Sequence, residues 1–536
     1  MFHQLLTPVG DNLFLSFLVA SIPIAVVLVL LGIVRRPAWQ ASLAGLVSAL
    51  ITAVLVWKMP PGLALYSSFA GMVFALWPVM WIVFNALTLY NIAVVSGRFD
   101  AFRRWVVDHL PNDKRVVLVV IGFCFGALLE GVAGFGAPVA ICSALLIAVG
   151  FPALEALVFT LIFNTAPVAF GALGAPVTTL GAVTGLPAHV LGQMIGRQLP
   201  FIALLLPFYV IGIYGGIKSL RALWPLLLVA GLSFAGGQFL ASNLLGYELT
   251  DVVSSIMALG GSIAFLKVWQ PKPDPDYAIL KTAEAPLTEG KTNIPAWQAW
   301  LPWLGLTAVV IAWTTLKINL MGSVKVAWPG LHNAVFITLY DKPYAAIWDF
   351  QPLASGTAIL VTALAMTLIF GLGPKAYVQA AVASWRQTRL AALTVMLIVG
   401  LAYLMNYSGM TYTLGLAASS VGPLFPLLSA FLGWVAVFLS GSDTSGNALF
   451  GNLQVVAANQ LGLSPVLTAA TNSSGGVMGK MISPQNISTG AALTDLKGHE
   501  GVILARTFKH SIILTVILGL LVLAQQYLFP WMIPPH

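Results

Sequence analysis

Long apolar runs separated by short polar stretches make up most of the chain. Because a helix needs about 20 predominantly apolar residues to cross a bilayer, the pattern predicts an all-α polytopic membrane protein with about 12 transmembrane helices. The uninterrupted spans are predicted at 13–34, 41–57, 67–95, 199–217, 222–244, 251–268, 296–316, 353–372, 390–407 and 510–530, with a short helix at 187–196.

Four further apolar segments are interrupted by glycine, proline and polar residues. They predict re-entrant hairpins at 116–149 and 424–461, each followed by a broken span, at 153–175 and 465–487. Backbone that leaves the helix at membrane depth must be buried in protein or line a wet cavity. These segments are therefore the candidates for a functional site.

The two broken spans resemble each other. An asparagine, a glycine and a proline recur in both at the same spacing: Asn164, Gly171 and Pro176, then Asn472, Gly479 and Pro484. Each preceding hairpin carries one acid in its glycine-rich or serine-rich tip, Glu130 in the first and Asp443 in the second. Paired broken segments in two halves indicate a transporter binding site. The alternative is chance similarity between glycine-rich membrane helices, in which glycine serves packing.

Charged residues are scarce and unevenly distributed. Of 536 residues, 8% are charged and 59% are hydrophobic, which excludes a soluble globule, where about a quarter are charged. The most polar stretch, 269–295, separates an N-terminal half, 1–268, from a C-terminal half, 296–536. Segment 317–350 is less apolar than a span, and its Trp and Tyr residues predict an interfacial excursion.

The net charge of +8 reflects membrane topology rather than nucleic-acid binding. If both termini lie outside, the basic clusters at 35–36 and 98–115 and the central linker are cytoplasmic, as the positive-inside rule requires. The first hairpin then enters from the cytoplasm and the second from outside. The two units would be inverted repeats, the architecture of alternating-access carriers.

Glu130 and Asp443 are the candidates for proton coupling. An ionisable residue inside the membrane is costly and marks function by default, and a buried carboxyl can bind and release a proton during transport. The alternative for both is a carboxylate that caps helix N-termini at the hairpin tip.

Lys480 is the lysine that the pattern predicts inside the membrane. A cation beside a helix break suits a small carboxylate substrate, which would also receive free backbone N–H groups. The rival interpretations are a lysine that reaches to the interface and a structural partner of Asp443 or Glu130.

Polar residues and glycines near the breaks complete the predicted substrate site. Amides and hydroxyls there can bind a substrate carboxylate or hydroxyl, or satisfy the freed backbone; glycines allow close backbone approach. The substrate-binding candidates besides Lys480 are Asn164, Thr165, Asn472, Ser473, Ser474, Gly134, Gly136 and Gly475. No metal-ligand spacing, phosphate-binding loop or nucleophile elbow is present in the sequence, so no cofactor, metal or enzyme activity is predicted.

The stretches GFCFGALLEGVAGFGAPVAI, NTAPVAFGALGAPV and NSSGGVMGKMISPQ resemble the bacterial L-lactate permease family, which includes the glycolate permeases. The resemblance covers nearly the whole chain. It implies proton-coupled uptake of L-lactate, D-lactate or glycolate across the bacterial inner membrane. The wider superfamily to which that family is assigned implies inverted repeats with two re-entrant hairpins, an elevator-type carrier and a homodimer.

Other classes remain open on the residues themselves. A sodium-coupled carboxylate carrier would use the same hairpins with oxygen ligands from the second tip, and a cation/proton antiporter would also use buried acids. Lys480 and the resemblance favour an organic anion. An anion channel differs by its inability to accumulate substrate against a gradient.

Overall fold

The computed structural model describes residues 1–132, 134, 137–279, 294–494, 496 and 498–535. Gly136 and most of the linker 269–295 lie outside the described residues. Within the described part, ten helices are long and apolar enough to cross a membrane, and a pair bent by 64°, Ala153–Phe163 with Val168–Thr184, adds an eleventh. The polytopic helical fold is confirmed, whereas the number of membrane crossings stays a prediction.

Within the described residues, thirteen α-helices precede the linker. They are α1 Leu13–Gly32, α2 Ala38–Leu55, α3 Pro61–Phe74, α4 Trp81–Val95, α5 Arg98–Asp108, α6 Lys114–Val117, α7 Gly126–Val132, α8 Ala137–Ala148, α9 Ala153–Phe163, α10 Gly171–Thr184, α11 Ala188–Ile195, α12 Leu199–Leu240 and α13 Thr250–Val268. The π-helical segments Ala75–Met80 and Leu118–Phe125 join α3 to α4 and α6 to α7.

Nine α-helices follow the linker in the part of the chain that the structure describes. They are α14 Ala296–Thr315, α15 Ser355–Ile369, α16 Pro374–Ser408, α17 Met410–Ala418, α18 Phe425–Ser440, α19 Asp443–Gln460, α20 Pro465–Lys480, α21 Pro484–Leu493 and α22 Glu500–Tyr527. The short helix α17 was not predicted by the hydrophobic pattern.

Two long helices show how the predicted spans map onto the fold. Gly216, at φ 61° and ψ −163°, divides the 42-residue α12 into two arms, and the arms pack together where Gly231 meets the Leu204 backbone. They correspond to the two spans predicted there. Helix α16 begins well before the predicted position 390 and has 35 residues, about 52 Å at 1.5 Å per residue. Arg386 and Arg389 made its first turns too polar for the span criterion.

Segment 317–350 contains short strands, which add two small sheets to the helical fold. Strands β1 Phe2–His3, β2 Val324–Ala327, β3 Val335–Ile337, β4 Lys342–Pro343 and β5 Ile347–Phe350 form these sheets. One has the order β1-β3-β4, with β1 parallel and β4 antiparallel to β3, and the other pairs β2 with β5 antiparallel. Residues 2–3 thereby tie the N-terminus to this segment.

Polar contacts distinguish the two ends of the helical bundle. At the end that holds both termini, Tyr340 is 3.1 Å from the Asn459 amide and the Ser464 N–H donates to Gln526. At the opposite end the Lys218 ammonium lies 3.0 Å from Asp274, and this hydrogen bond lowers the pKa of the Asp274 carboxyl. The location of both termini outside the cell remains a prediction, which rests on the distribution of basic residues.

Glycines bring α18 and α20 into backbone contact. A Cβ atom on Gly433 of α18 would overlap the Asn472 carbonyl oxygen, and one on Gly475 or Gly479 of α20 would overlap the Ala430 or Trp434 carbonyl oxygen. Interiors packed this closely have no room for added atoms. The structure shows Gly475 packing α20 on α18, the alternative role of glycine in membrane helices, and its predicted contact with substrate stays a prediction.

Gly433→Ala is expected to lower the stability of the protein by about 1–3 kcal/mol, because the added methyl group forces α18 away from α20. The measurement is thermal unfolding in detergent. Gly260→Ala in α13 is the control, since a Cβ there meets open space and alanine favours the helix. Equal melting temperatures for Gly433→Ala and wild type would contradict this account of the packing.

Candidate functional site

The tip of the first hairpin carries Glu130. Residues Lys114–Val132 form the first arm and α8 the second. Glu130 lies two residues before the end of the first arm and is 3% exposed. Gly134, the described residue of the tip, has φ +55° and lies against Ala172 of the following broken helix. The tip of this hairpin thus abuts the first helix break.

The first break separates α9 from α10. Asn164 ends α9 and Thr165 follows in the turn, as predicted. The backbone then takes left-handed conformations at Ala172, Leu173 and Gly174, with φ of 46°, 55° and 78°. Left-handed backbone costs non-glycine residues roughly 1–2 kcal/mol each, so the surrounding structure must hold this turn in place.

The second break lies later in its repeat than the sequence match predicts. The prediction that Asn472, Ser473 and Ser474 occupy a helix break is wrong, because α20 is continuous from Pro465 to Lys480. The chain leaves the helix at Met481–Ser483 and resumes with Pro484 as the first residue of α21. Proline disfavours helical backbone in the residue before it, and Ser483 accordingly has ψ 131°.

The tip of the second hairpin carries Asp443. Gly441, at φ +72°, ends α18, and Asp443 is the first residue of α19. One Asp443 carboxylate oxygen accepts hydrogen bonds from the Ser473 hydroxyl and the Asn447 amide, while the other, Oδ1, has no hydrogen-bond partner among the described residues. The Asn486 amide of α21 donates to the Gly441 carbonyl at 3.1 Å. In this half too, the hairpin tip contacts the break.

An ion pair connects the two halves at these breaks. The Lys480 Nζ atom lies 2.7 Å from Glu130 Oε1, and both side chains are buried. A buried charge is tolerated when a partner compensates it, so each residue makes the other possible. The geometry supports the interpretation of Lys480 as a partner of Glu130 and leaves it beside the cavity where a ligand would bind.

A cavity of about 350 Å³ lies between the two tips. Its walls include four of the predicted site residues, Glu130, Gly134, Asp443 and Lys480. The backbone of the first break and the turn 440–445 complete its closed end. Pro37, Gln387 and Gln485 line the other end and are exposed. The cavity therefore opens toward the end of the bundle where Arg35, Arg36 and Arg386 lie.

The remaining predicted residues that the structure describes do not line this cavity. Asn164 and Thr165 face Lys480 from a separate, narrow void that Asn486 also lines. Asn472 donates to the Gly446 carbonyl and to Asn447. These bonds fix the second hairpin to α20. Ser473 supports Asp443, and the buried Ser474 hydroxyl has no hydrogen-bond partner among the described residues.

Sequence reasoning missed several residues at the site. Thr444, Gln485 and Asn486 line the cavity, and they stand beside the predicted residues Asp443 and Pro484. Asp251 was placed at the edge of a predicted span, where a carboxylate commonly faces water. The structure buries it to 1% exposure against Gly131, and its neighbour on that side is the hairpin that carries Glu130.

Helices that break around a buried ion pair and a cavity, within a bundle of apolar helices, define a polytopic membrane transport protein. A sequence model of the L-lactate permease family matches residues 16–529, and the chain belongs to that family. The resemblance seen in the motifs is thereby confirmed. Membership and the apolar helices make the chain a multi-pass protein of the bacterial plasma membrane.

Two characterised relatives match the chain from end to end. The L-lactate permease of Bacillus subtilis (strain 168) is 41% identical over 561 aligned residues, which cover 99% of both chains. The glycolate permease GlcA of Escherichia coli (strain K12) is 40% identical over 555 aligned residues, again with 99% of both chains covered. Among solved structures, the YdaH transporter of Alcanivorax borkumensis aligns with a TM-score of 0.45 and 13% identity, covering 87% of this chain and 88% of that one.

Lys480→Met is expected to destabilise the protein by about 3–5 kcal/mol, because it leaves the Glu130 carboxylate buried without a partner. The double variant Glu130→Gln/Lys480→Met removes both charges and is expected to recover much of the loss. Thermal unfolding of the wild type, both single variants and the double variant in detergent gives the coupling energy. Additive effects of the two substitutions would show that the ion pair contributes nothing to stability.

Proposed function

We propose that the protein is a secondary transporter that imports short 2-hydroxy monocarboxylates together with protons. The substrates are L-lactate, D-lactate and glycolate, and the membrane is the bacterial inner membrane. Family membership and the relatives named as lactate and glycolate permeases support this proposal. The observation that carries it is the ion pair of Lys480 and Glu130 in the wall of the cavity.

Competition between Glu130 and the substrate carboxylate for Lys480 couples substrate binding to proton binding. Lys480 is the cationic side chain in the cavity wall, and a substrate carboxylate can approach it as closely as Glu130 does. Protonation of Glu130 removes its attraction for the ammonium group and leaves Lys480 free for the substrate. Substrate binding therefore favours protonation of Glu130, and protonation favours substrate binding.

The net charge of the site explains why the substrate and the proton would be transported together. Counted over Glu130, Lys480 and the substrate, the empty site holds one ionised acid and one cation, and the loaded site holds a neutral acid, a cation and the substrate anion. Both states are neutral. A site with substrate and ionised Glu130, or with protonated Glu130 and no substrate, carries a net charge that costs several kcal/mol in a low-dielectric interior. The neutral states are the ones expected to change conformation.

Hydroxyl and amide groups near Lys480 can bind the 2-hydroxyl group of the substrate. Ser442, Thr444 and Asn486 line the cavity beside Asp443, while Gly171 and Ala175 provide an apolar wall. The substrate methyl group that distinguishes lactate from glycolate is worth only about 1–3 kcal/mol in such a pocket. Because this difference is small, one site is expected to accept both lactate and glycolate.

The two hairpin and break units are proposed to be inverted repeats. If the basic end of the bundle is cytoplasmic, the cavity opens inward and this conformation is inward-facing. Elevator-type movement and a homodimer are expectations from the resemblance, and the coupling at Lys480 requires neither.

Sodium coupling is the second candidate. One Asp443 oxygen lacks a hydrogen-bond partner among the described residues, and the Ser473 hydroxyl oxygen lies beside the same carboxylate. Sodium would bind such oxygens, whereas proton coupling through Glu130 needs no ion there.

Purified protein in proteoliposomes is expected to accumulate radiolabelled L-lactate when an inward proton gradient is imposed without sodium. An uncoupler should abolish the accumulation, and unlabelled glycolate and D-lactate should compete. If accumulation begins only when sodium is added, the coupling ion is sodium and not the proton. Equilibration without accumulation would indicate a channel.

Glu130→Gln is expected to lose proton-driven accumulation while it retains lactate exchange across the membrane, because glutamine resembles the protonated acid. The measurement is counterflow of labelled against unlabelled lactate, beside uptake driven by the proton gradient. Glu155→Gln, at an exposed acid on α9, is the matched control. Unchanged accumulation by Glu130→Gln at every pH would remove Glu130 from the coupling.

A further inference from the structure

A carboxyl group that the mechanism above does not use lies beside Glu130. Asp251 belongs to the first turn of α13 and is 1% exposed. Neither of its carboxylate oxygens has a hydrogen-bond partner among the described residues. Although it lies at a helix N-terminus, its side chain caps no backbone N–H there. An ionised carboxylate buried without donors or a cation is very costly, so an acid kept in this position has a function to explain it.

The first hairpin is the immediate neighbour of Asp251. A Cβ atom on Gly131 would lie 2.7 Å from the Asp251 Cβ atom, so the side chain rests on the backbone next to Glu130. Glu130 Oε2, the oxygen that does not contact Lys480, also lacks a hydrogen-bond partner among the described residues. Asp251 therefore packs on the residue that follows Glu130, and both buried carboxyl groups have oxygens without a hydrogen-bond partner among the described residues.

The other titratable groups around α13 differ from Asp251 and Glu130 in their position or in their hydrogen-bond partners. The charged groups that act on Asp251 are Glu130 and Lys480. In the preceding turn, Glu248 already accepts a hydrogen bond from the Ser355 hydroxyl, and Tyr247 contacts the Thr178 hydroxyl. The Cys124 thiol faces Ser262, about three turns further along α13. Helices α10 and α14, which also pack on α13, contain no titratable side chains. Helix α12 packs on α13 where Gly237 meets Ser254 and carries Tyr209, Tyr214, Lys218 and Arg221, of which Lys218 pairs with Asp274 at the basic end.

Asp251 and the opening of the cavity lie toward opposite ends of the bundle. Helix α13 begins near Asp251 and ends at Val268, shortly before Asp274 at the basic end. The cavity opens toward that basic end through Pro37 and Gln387. A proton that passes through Asp251 would thus reach Glu130 from the end that holds both termini.

We propose that Asp251 is the proton donor and acceptor for Glu130, a role that rests on the proposed proton-coupled transport. Protonated Asp251 gives its proton to the Glu130 carboxylate, which becomes a neutral acid and releases Lys480 for the substrate. Asp251 becomes a carboxylate in this step and is reprotonated from water at the end of the bundle that holds the termini. At least one of the two carboxyl groups, Asp251 or Glu130, holds a proton at every step, because two negative charges in a buried site repel strongly.

Asp251→Asn tests the proposal, since it keeps the shape of the side chain and removes its proton. In proteoliposomes the variant is expected to retain lactate counterflow, while uptake driven by the proton gradient falls by roughly tenfold or more and loses its pH dependence. Glu248→Gln, three residues earlier, is the matched control and is expected to keep the wild-type pH profile.

The outcomes separate this inference from the proposed function. If the wild type shows no proton-driven accumulation, the proposed function fails. If the wild type accumulates lactate and Asp251→Asn does so with the same pH profile, the role of Asp251 is overturned and the transport function stands.

Infrared spectroscopy decides the case in which Asp251→Asn loses all transport. The purified wild type is expected to show a protonated-carboxyl C=O band at neutral pH that is missing in Asp251→Asn and retained in Glu248→Gln. Identical carboxyl bands in wild type and Asp251→Asn would mean that Asp251 holds no proton, and would overturn the proposal.

Discussion

The ion pair between Glu130 and Lys480 is the constraint on which the rest of the structure depends. Either charge alone inside the apolar bundle would cost several kcal/mol. The two residues are 350 positions apart in sequence, so their pairing requires the first hairpin tip and the second helix break to meet. The left-handed turn at Ala172 and Leu173 and the break before Pro484 provide the backbone ends that surround this meeting point.

The residues predicted best from sequence were those whose chemistry conflicts with their surroundings. Glu130, Asp443 and Lys480 each interrupt an apolar stretch, and all three line the cavity. A charge in a membrane segment has few stable environments, so its position in the sequence marks it as a candidate for a buried polar site. The helical class, most spans and the two hairpins followed from the same simple balance of apolar length against polar interruption.

Sequence matching was less reliable for backbone conformation. The asparagine of the second repeat lies within a continuous helix, because Gly475 and Gly479 pack α20 directly on α18 and preserve its hydrogen bonds. In the first repeat the equivalent region opens into a turn. Asp251 was missed because its burial depends on a hairpin that lies more than a hundred residues earlier in the chain. The pairing of residue 2 with residue 335 was hidden for the same reason.

The glycine contacts between α18 and α20 also limit which parts of the protein can move relative to each other. Two helices whose backbones touch leave each other little room to slide or tilt, so α18 and α20 hold a fixed position against each other. The surface between the repeats is different, since polar contacts such as that from Asn447 to the Pro176 carbonyl cross it. Hydrogen bonds of this kind can exchange for water or substrate at little net cost. A relative movement of the two hairpin units would have to exchange these contacts, the Glu130–Lys480 ion pair among them, while the contacts between α18 and α20 stay in place.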